Sequence, residues 1–298
     1  MTPRLVLCRP QGGLNDMLCQ IAAVCEYSEQ HGRTVIVDAN HATTDCFRDD
    51  LSHYFDSLRP GLSLDIGGAP TDLAGLDVVP HCLAGRVHAY DAKYQNGLWK
   101  WVEASTGEPI TFDFDRDYDE PVLVHQSDGG GEGSIEALGR MRLRGHMLRE
   151  LGRRLSVIGQ PFLGVHVRNS DYRTNYQAVA QLPALRDSGL PVFVATDDQS
   201  VVDHFIKVLG RARMFSFAAL PIGAPVPIHR WRGEPGRRRL NEDAILDLVM
   251  LALASQFHMF GLEPNFQRAK FSGYSLLAAN LRRRPEVLSS LIDRAAGR

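Results

Sequence analysis

The stretch of sequence that decides the fold is Phe162-Leu163-Gly164-Val165-His166-Val167-Arg168-Asn169-Ser170-Asp171-Tyr172. Its apolar part, residues 162–167, predicts a buried strand of a parallel sheet, and polar side chains follow directly. In open α/β sheets, ligands bind just outside the carboxyl ends of the strands. An arginine at such a strand end suits a phosphate group, because its planar guanidinium can bind two oxygens at once. The stretch therefore predicts an anion-binding site after this strand.

Two structural roles compete with that interpretation. Arg168 and Asp171 could form only a mutual ion pair at the rim of the sheet. His166 alternates with the neighbouring valines, so it faces the opposite side of the strand and could be a hydrogen-bonded core residue. Three polar groups at the end of one strand nevertheless favour a binding site.

Strand-like runs alternate with helical periodicity along the chain, which predicts parallel sheets covered by helices. A βαβ unit comes first, and a second α/β set begins after Gly159-Gln160-Pro161. The pattern thus predicts an α/β protein of two domains, residues 1–158 and residues 159–298. The predicted strands are 4–9, 34–37, 122–125, 162–168, 192–196, 214–217 and 258–260. The predicted helices are 14–30, a long basic helix 134–155, 243–255 and 272–283.

The composition excludes several classes of protein. The 298 residues include 23% charged residues with a formal net charge of -2, which does not indicate a nucleic-acid binder. No apolar stretch reaches the length of a membrane span, although peripheral docking on a membrane stays open. The five cysteines lie in the first third of the chain without C-x-x-C spacing, so neither a disulfide framework nor a zinc site is expected. We therefore expect a cytoplasmic protein.

A glycine-containing loop, Gln11-Gly12-Gly13-Leu14-Asn15-Asp16, joins the first predicted strand to the first helix. Glycines let the backbone approach a ligand, and a helix N-terminus offers amide groups to an anion. The loop does not match G-x-G-x-x-G, which argues against dinucleotide binding. The structural alternative is a tight turn in which Asn15 or Asp16 caps the helix.

Polar residues also follow the strand 192–196 and open the helix 272–283. After the strand, Asp197 and Asp198 could accept hydrogen bonds from a ribose or nucleobase, or cap the next helix. At the helix, Ser272 and Ser275 form a favourable seat for a phosphate, and capping alone would require only one serine.

With these segments in order, the chain resembles the fucosyltransferase superfamily, which includes bacterial α-1,2-fucosyltransferases, α-1,6-fucosyltransferases of the rhizobial Nod-factor type and protein O-fucosyltransferases. The loop and helix Gly12-Gly13-Leu14-Asn15-Asp16-Met17-Leu18-Cys19-Gln20-Ile21-Ala22 look similar to the family's N-terminal motif, and Asp38 ends the next strand. The family's H-x-R-x-x-D-Y motif matches His166, Arg168, Asp171 and Tyr172. Its later T-D pair matches Thr196 and Asp197, and its closing serine motif resembles residues 272–281. Residues 43–160 carry no match, and acceptor recognition is expected to vary there.

The resemblance implies a GT-B-like architecture, in which two Rossmann-like domains face each other across a cleft. It implies an inverting glycosyltransferase that takes fucose from GDP-fucose to a glycan acceptor, without a metal or cofactor, in surface polysaccharide or glycoconjugate synthesis. In that reading Arg168 binds the β-phosphate, Asp197 or a neighbouring residue contacts the guanosine, and Asn15 and His166 line the sugar-diphosphate pocket. The implied catalytic set is Arg168, His166, Asp171 and Asn15, and the implied donor-binding set is Gly12, Gly13, Arg168, Asp197, Ser272, Gly273, Tyr274 and Ser275.

The chain departs from the family pattern at two positions. Many members have a second arginine where this chain has Asn169, and the usual glutamine after the motif asparagine is Asp16. The general base is Asp16, Asp38 or Asp171 on position alone. Two other functions remain as alternatives: a non-catalytic nucleotide- or glycan-binding protein on the same fold, and a dinucleotide-dependent Rossmann enzyme.

Overall fold

The computed structural model divides the chain into two compact α/β units, Met1–Leu143 and Arg144–Arg298. It describes residues 4–70, 73, 75–98, 100–221, 231, 233, 236–263 and 270–293. The division lies fifteen residues before the predicted one (158 minus 143) because the helix Gly145–Ile158 belongs to the second unit. The side chain of Arg154 on this helix is bound to two aspartates of that unit, as described below.

The first unit is built on a five-stranded parallel sheet. Its elements are β1 Leu5–Cys8, α1 Leu14–His31, β2 Thr34–Val37, β3 Phe55–Ser57, β4 Leu62–Ser63, β5 Val78–Val79, β6 Ala92–Gln95, β7 Lys100–Glu103, β8 Val122–His125, α2 Ser134–Leu138 and β9 Met141–Leu143. The strand order in the sheet is β4-β2-β1-β8-β5. All four residues of β1 and of β8 are buried, as expected for central strands covered on both faces. The order reverses between β1 and β8, which makes their carboxyl ends the place where a ligand is expected.

The predicted long helix 134–155 is wrong. Its sequence forms α2, then the strand β9, and then a separate helix. The strand β9 pairs antiparallel with β3, so Met141 and Leu143 are buried in a second small sheet. A long-range pairing has overridden the local helical pattern.

The second unit has a four-stranded parallel sheet. Its elements are α3 Gly145–Ile158, β10 Leu163–Val167, α4 Tyr176–Ala180, α5 Pro183–Arg186, β11 Val192–Thr196, α6 Gln199–Leu209, β12 Met214–Phe215, α7 Arg237–Leu253, β13 Gln256–Met259, α8 Gly273–Arg283 and α9 Pro285–Ile292. The order β12-β11-β10-β13 is that of a Rossmann half, with the reversal between β10 and β13.

The strand β10 shows how this sheet is covered on both faces. Leu163, Val165 and Val167 belong to the buried cluster on one face. Gly164 and His166 alternate with them and therefore point to the other face. A Cβ at Gly164 would lie 2.9 Å from Ala254 Cβ, so glycine is needed for α7 to approach the strand this closely.

Two further observations concern the cysteines and the apolar length of the helices. The five cysteines are all unpaired, as expected, and Cys8 and Cys25 are buried. Among the helices that the structure describes, none is long and apolar enough to cross a membrane.

Candidate functional site

The second unit brings most of the predicted site residues together at the reversal point of its sheet. Arg168 follows β10 directly, and α8 begins after the neighbouring strand β13. Asp197 follows β11 on the other side of β10. We call this group, which comprises His166, Arg168, Asp171, Asp197, Ser272 and Ser275, the arginine site.

Arg168 is held by two carboxylates. Its Nη1 lies 2.9 Å from Asp197 Oδ2, and its Nη2 is paired with Asp171 Oδ1. Burial alone would lower the pKa of Arg168, but the charges of Asp197 and Asp171 outweigh it and hold the pKa above its usual value. The predicted ion pair with Asp171 is therefore present, and the side chain keeps its charge. A guanidinium has five N–H donors, so these two contacts leave capacity for a ligand oxygen.

Asp197 also fixes the loop that follows β10. Its carboxylate accepts a hydrogen bond from the Asn169 amide at 2.8 Å and another from the Ser170 hydroxyl. The next residue, Asp198, caps α6 by accepting from the Ser200 amide at 2.8 Å. The capping interpretation therefore applies to Asp198, whereas Asp197 is bound to groups of the protein itself.

Asn169 stands where many family members have a second arginine, and its side chain is engaged within the protein. Its Nδ2 donates to Asp198 Oδ2 at 2.7 Å. This amide therefore ties the loop after β10 to the cap of α6. The sequence alone gave no reason to expect this role, because Asn169 and Asp198 follow different strands and lie far apart along the chain.

The start of α8 is docked onto β10 through His166. Ser272 caps the helix by accepting from the Ser275 amide at 3.1 Å, and its hydroxyl donates to Ser275 Oγ at 3.1 Å. Ser275 Oγ in turn lies 2.6 Å from His166 Nδ1.

His166 is neutral at physiological pH. Burial and the nearby charge of Arg168 lower its pKa to about 3. Its ring packs against the Tyr274 ring with centroids 4.9 Å apart, and the Tyr274 hydroxyl donates to the Ala244 carbonyl at 2.6 Å. The predicted core role of His166 is therefore present, in direct contact with the predicted site.

The first turn of α8 supplies the donors that the sequence predicted for a phosphate. The amides of Gly273 and Tyr274 belong to the first turn, whose N–H groups have no partner inside an α-helix. The helix dipole adds partial positive charge at this end. Arg168 and this helix end therefore supply two kinds of donor for an anion in one unit.

The remaining predicted residues, Gly12, Gly13 and Asn15, lie in the first unit at the loop between β1 and α1. Gly12 has a left-handed φ of +89°, and a Cβ there would lie 3.0 Å from Asp16 Cβ. Gly13, and not Asn15 or Asp16, is the N-cap residue of α1. The Asp16 carboxylate, in the first turn, accepts a hydrogen bond from the Gly13 backbone, so this side chain contributes to the cap as the sequence predicted.

Asn15 instead holds a second glycine-rich segment in the first unit. Its Oδ1 accepts from the Ser134 hydroxyl at 2.8 Å, and its Nδ2 donates to the Gly131 carbonyl at 3.4 Å. Burial raises the pKa of the neighbouring Asp16, and the charge of Asp128 adds to the effect.

Taken together, two α/β units with Rossmann-like sheets define the GT-B fold class, which confirms the predicted fold. Solved structures to which the chain is similar are fucosyltransferases, as the motifs indicated. The NodZ α-1,6-fucosyltransferase co-crystallized with GDP is 15% identical with a TM-score of 0.56, and the match covers 94% of this chain and 92% of that one. The fucosyltransferase NodZ from Bradyrhizobium is 14% identical, with a TM-score of 0.57 and coverage of 94% and 93%. POFUT1 in complex with GDP is 13% identical, with a TM-score of 0.58 and coverage of 95% and 96%.

No protein-family model matches this chain, and no curated protein sequence matches it. At 13–15% identity, the solved structures establish a shared fold. The activity has to be argued from the site.

Proposed function

We propose that this protein is an inverting glycosyltransferase that transfers fucose from GDP-fucose to a glycan acceptor, in the synthesis of a surface polysaccharide or glycoconjugate. The observation that carries the proposal is the placement of Arg168 at the carboxyl end of β10, at the reversal point of a Rossmann-like sheet, where His166 of the same strand contacts Ser275 in the first turn of α8. Support also comes from the shared fold, because there are structures of NodZ soaked with GDP-fucose and of POFUT1 in complex with GDP-fucose.

The arginine site has the groups that departure of a diphosphate requires. When the bond between the sugar C1 and the diphosphate oxygen breaks, its electron pair moves to the diphosphate. Arg168 and the first-turn amides of α8 stabilise that negative charge, because they are fixed before the reaction. The acceptor hydroxyl oxygen bonds to C1 from the opposite face, which inverts the centre, and its proton passes to a base.

The contacts of Asp171 and Asp197 have different consequences for the roles predicted for these two residues. Asp171 is paired with Arg168, and such a pairing lowers the basicity of a carboxylate, so we favour it as a positioning residue over a base. Asp197 orients Arg168 and the loop after β10. Its predicted contact with guanosine stays a prediction.

The test is calorimetric titration of GDP, UDP, ADP and NAD into the full chain and into Arg168→Ala. We expect GDP to bind the wild type and to lose at least about tenfold in affinity in the variant, as for a lost charge-assisted pair. Arg168→Lys keeps the charge but loses the planar fork, so its affinity should fall between the two. Arg153→Ala is the matched control, because Arg153 lies on α3 of the same unit with its side chain 55% exposed.

The outcomes separate this proposal from its alternatives. Preference for UDP would support a glycosyltransferase but reject fucose as the transferred sugar. Preference for NAD would support the dinucleotide-dependent enzyme. GDP binding without release of GDP from GDP-fucose, over a panel of glycan acceptors, would support a non-catalytic binding protein.

Two further parts of the proposal concern metal and location. We propose that transfer needs no metal, since Arg168 and the helix end supply positive charge to the diphosphate. Transfer that persists in excess EDTA would support this, and its loss would reject it. We also propose a cytoplasmic location, for which the five unpaired cysteines give support.

A further inference from the structure

Asp16 lies at the point where the strand order of the first unit's sheet reverses. It is in the first turn of α1, directly after the loop that follows β1. Asp128 lies in the loop after β8, the neighbouring strand on the other side of the reversal. In sheets of this kind, ligands bind at the carboxyl ends of these two strands. The two carboxylates are therefore placed where a substrate of this unit is expected.

The other two aspartates that the sequence offered as a base are each bound to an arginine. Asp38 Oδ2 accepts from Arg9 Nε at 2.9 Å, and both side chains are buried. The guanidinium carbon of Arg9 also lies 5.1 Å from the centroid of the Tyr90 ring, which encloses this pair further. Asp171 is paired with Arg168 in the second unit. Both carboxylates therefore already serve a cation of the protein.

Asp16 has no such cation among the described residues that contact it. Its carboxylate accepts hydrogen bonds from the Gly13 backbone amide and from the Asn15 side chain. Asn15 is itself held in place, because its Oδ1 accepts from the Ser134 hydroxyl at 2.8 Å. A carboxylate has about four acceptor positions, so these two contacts leave positions for the hydroxyl of a ligand.

Glycines border the Asp16 carboxylate from two loops. In the loop after β1, a Cβ at Gly12 would lie 3.1 Å from Oδ2, and one at Gly13 would lie 3.9 Å from it. In the loop after β8, a Cβ at Gly130 would lie 3.5 Å from Oδ1. None of these positions has a side chain to cover the carboxylate, and Asp16 is partly exposed. A ligand hydroxyl can therefore approach it.

The surroundings of Asp16 also strengthen it as a base. Burial raises its pKa, and the negative charge of Asp128 raises it further, against the two hydrogen bonds that lower it. Burial raises the pKa of Asp128 as well. A carboxylate with a raised pKa accepts a proton more readily, which is the adjustment that general-base catalysis requires.

We propose that Asp16 is the catalytic base of the transfer, with Asn15 as its positioning residue. Resting on the proposed function, the acceptor hydroxyl donates a hydrogen bond to the Asp16 carboxylate. As the hydroxyl oxygen bonds to the sugar C1, its proton passes to Asp16. The bond between C1 and the diphosphate breaks at the same time, and its electron pair leaves with the diphosphate. The family motif usually has glutamine at this place, which takes up no proton, so this base is particular to the present chain.

The experiment compares nucleophiles that must lose a proton with one that has none. The full-length protein receives GDP-fucose with water alone, with a panel of neutral oligosaccharides, or with sodium azide, and released GDP is measured. Azide replaces the diphosphate by forming a bond between nitrogen and C1, without any proton transfer. The base is removed in Asp16→Asn and Asp16→Gln and retained in Asp16→Glu.

Two other aspartates of the first unit provide comparisons. Asp119→Asn is the matched control, because Asp119 is an exposed carboxylate outside this group. Asp128→Asn removes the neighbouring carboxylate at the same edge of the sheet. Thermal unfolding first establishes that each variant is folded.

We expect Asp16→Asn and Asp16→Gln to lose about 10²–10⁴-fold in kcat with water or oligosaccharides, which is the usual contribution of a general base. The loss with azide should be far smaller. Asp16→Glu should recover part of the lost rate, and Asp119→Asn should match the wild type.

Three results would overturn the proposal: wild-type rates with hydroxyl nucleophiles in a folded Asp16→Asn or Asp16→Gln, an equal loss with azide, or a larger loss in Asp128→Asn. In each of these cases the wild type still releases GDP, so the proposed function stands. A wild type that releases no GDP from GDP-fucose with any of the nucleophiles overturns the proposed function itself.

Discussion

At the scale of single residues, His166 makes the stability of the protein sensitive to acid. Its folded pKa of about 3 lies below the unfolded value of 6.5, so the unfolded chain takes up the proton first. Its contribution to stability is therefore complete above pH 6.5 and is lost as the pH falls towards 3. At pH 5, the loss is about 2 kcal/mol, from 1.5 units at about 1.36 kcal/mol per unit.

The variant His166→Asn tests this linkage, because a side-chain amide can hydrogen-bond to the Ser275 hydroxyl but takes up no proton in this range. We expect the difference in unfolding free energy between pH 7 and pH 5, measured in urea, to be smaller in this variant. His81→Asn is the control, since the His81 side chain is 75% exposed. Equal pH dependence in wild type and His166→Asn would contradict the assignment of a neutral buried ring.

Ser272 combines two roles that substitution can separate. Ser272→Ala removes the cap of α8 and should cost about 1 kcal/mol of stability. Ser272→Asp keeps a capping oxygen and adds a negative charge, so stability should hold while GDP affinity falls. Thermal unfolding and GDP titration of both variants measure the two effects. Undiminished GDP affinity in Ser272→Asp would place the phosphates elsewhere.

At the scale of elements, Arg154 joins α3 to α7. It is completely buried, its Nη1 lies 2.9 Å from Asp247 Oδ1, and its Nη2 pairs with Asp243. Asp243 also accepts from the Ala219 amide at 2.9 Å, which adds the segment after β12 to the network. Burial raises the pKa of Asp247 to about 7, although Arg154 opposes the shift.

Replacing Arg154 should therefore be far more costly than replacing its neighbour. Arg154→Met removes the buried cation from Asp247 and leaves Asp243 with only the partly exposed Arg239, and we expect a loss of about 3–5 kcal/mol. Arg153→Met changes a mostly exposed pair with Glu150 and should cost about 0–1 kcal/mol. Chemical denaturation of both variants provides the measurement. Similar losses in the two would show that the buried network does not hold α3 in place.

The sequence predicted elements well where their signals are local. The strands Thr34–Val37, Val122–His125 and Val192–Thr196 agree with the prediction residue for residue, because each is a short apolar run with polar residues after it. The segment 134–155 failed because Met141 to Leu143 pairs with β3, more than eighty residues earlier (141 minus 57). The helix α9 was missed, although Pro285 at its first turn was an available signal.

The arginine site was predictable in its residue types and strand ends, but not in its internal bonds. The split of Asp197 and Asp198 between a loop anchor and a helix cap depends on Asn169, which lies on a different strand end. The contacts of Arg9 were missed for the same reason, because Tyr90 lies in an irregular segment far along the chain.

At the scale of the whole molecule, the position of α3 predicts which fragments fold. A fragment of residues 144–298 keeps Arg154 with Asp243 and Asp247, whereas a fragment of residues 159–298 leaves both aspartates buried without it. We expect the longer fragment to unfold cooperatively and to bind GDP, and the shorter one to do neither. Circular dichroism with thermal melting and GDP titration distinguish them. If the two fragments unfolded and bound GDP alike, the domain boundary predicted at residue 158 would be supported instead.

The distribution of cysteines gives the first unit a chemical reporter of its own. All five thiols lie before residue 83, so the second unit has none. Buried Cys8 and Cys25 react with an alkylating reagent only when the first unit opens. Their reaction rate therefore measures how often that unit alone opens. Alkylation with and without GDP would therefore reveal whether the nucleotide steadies the first unit as well. An unchanged rate would confine its influence to the half of the chain that carries Arg168.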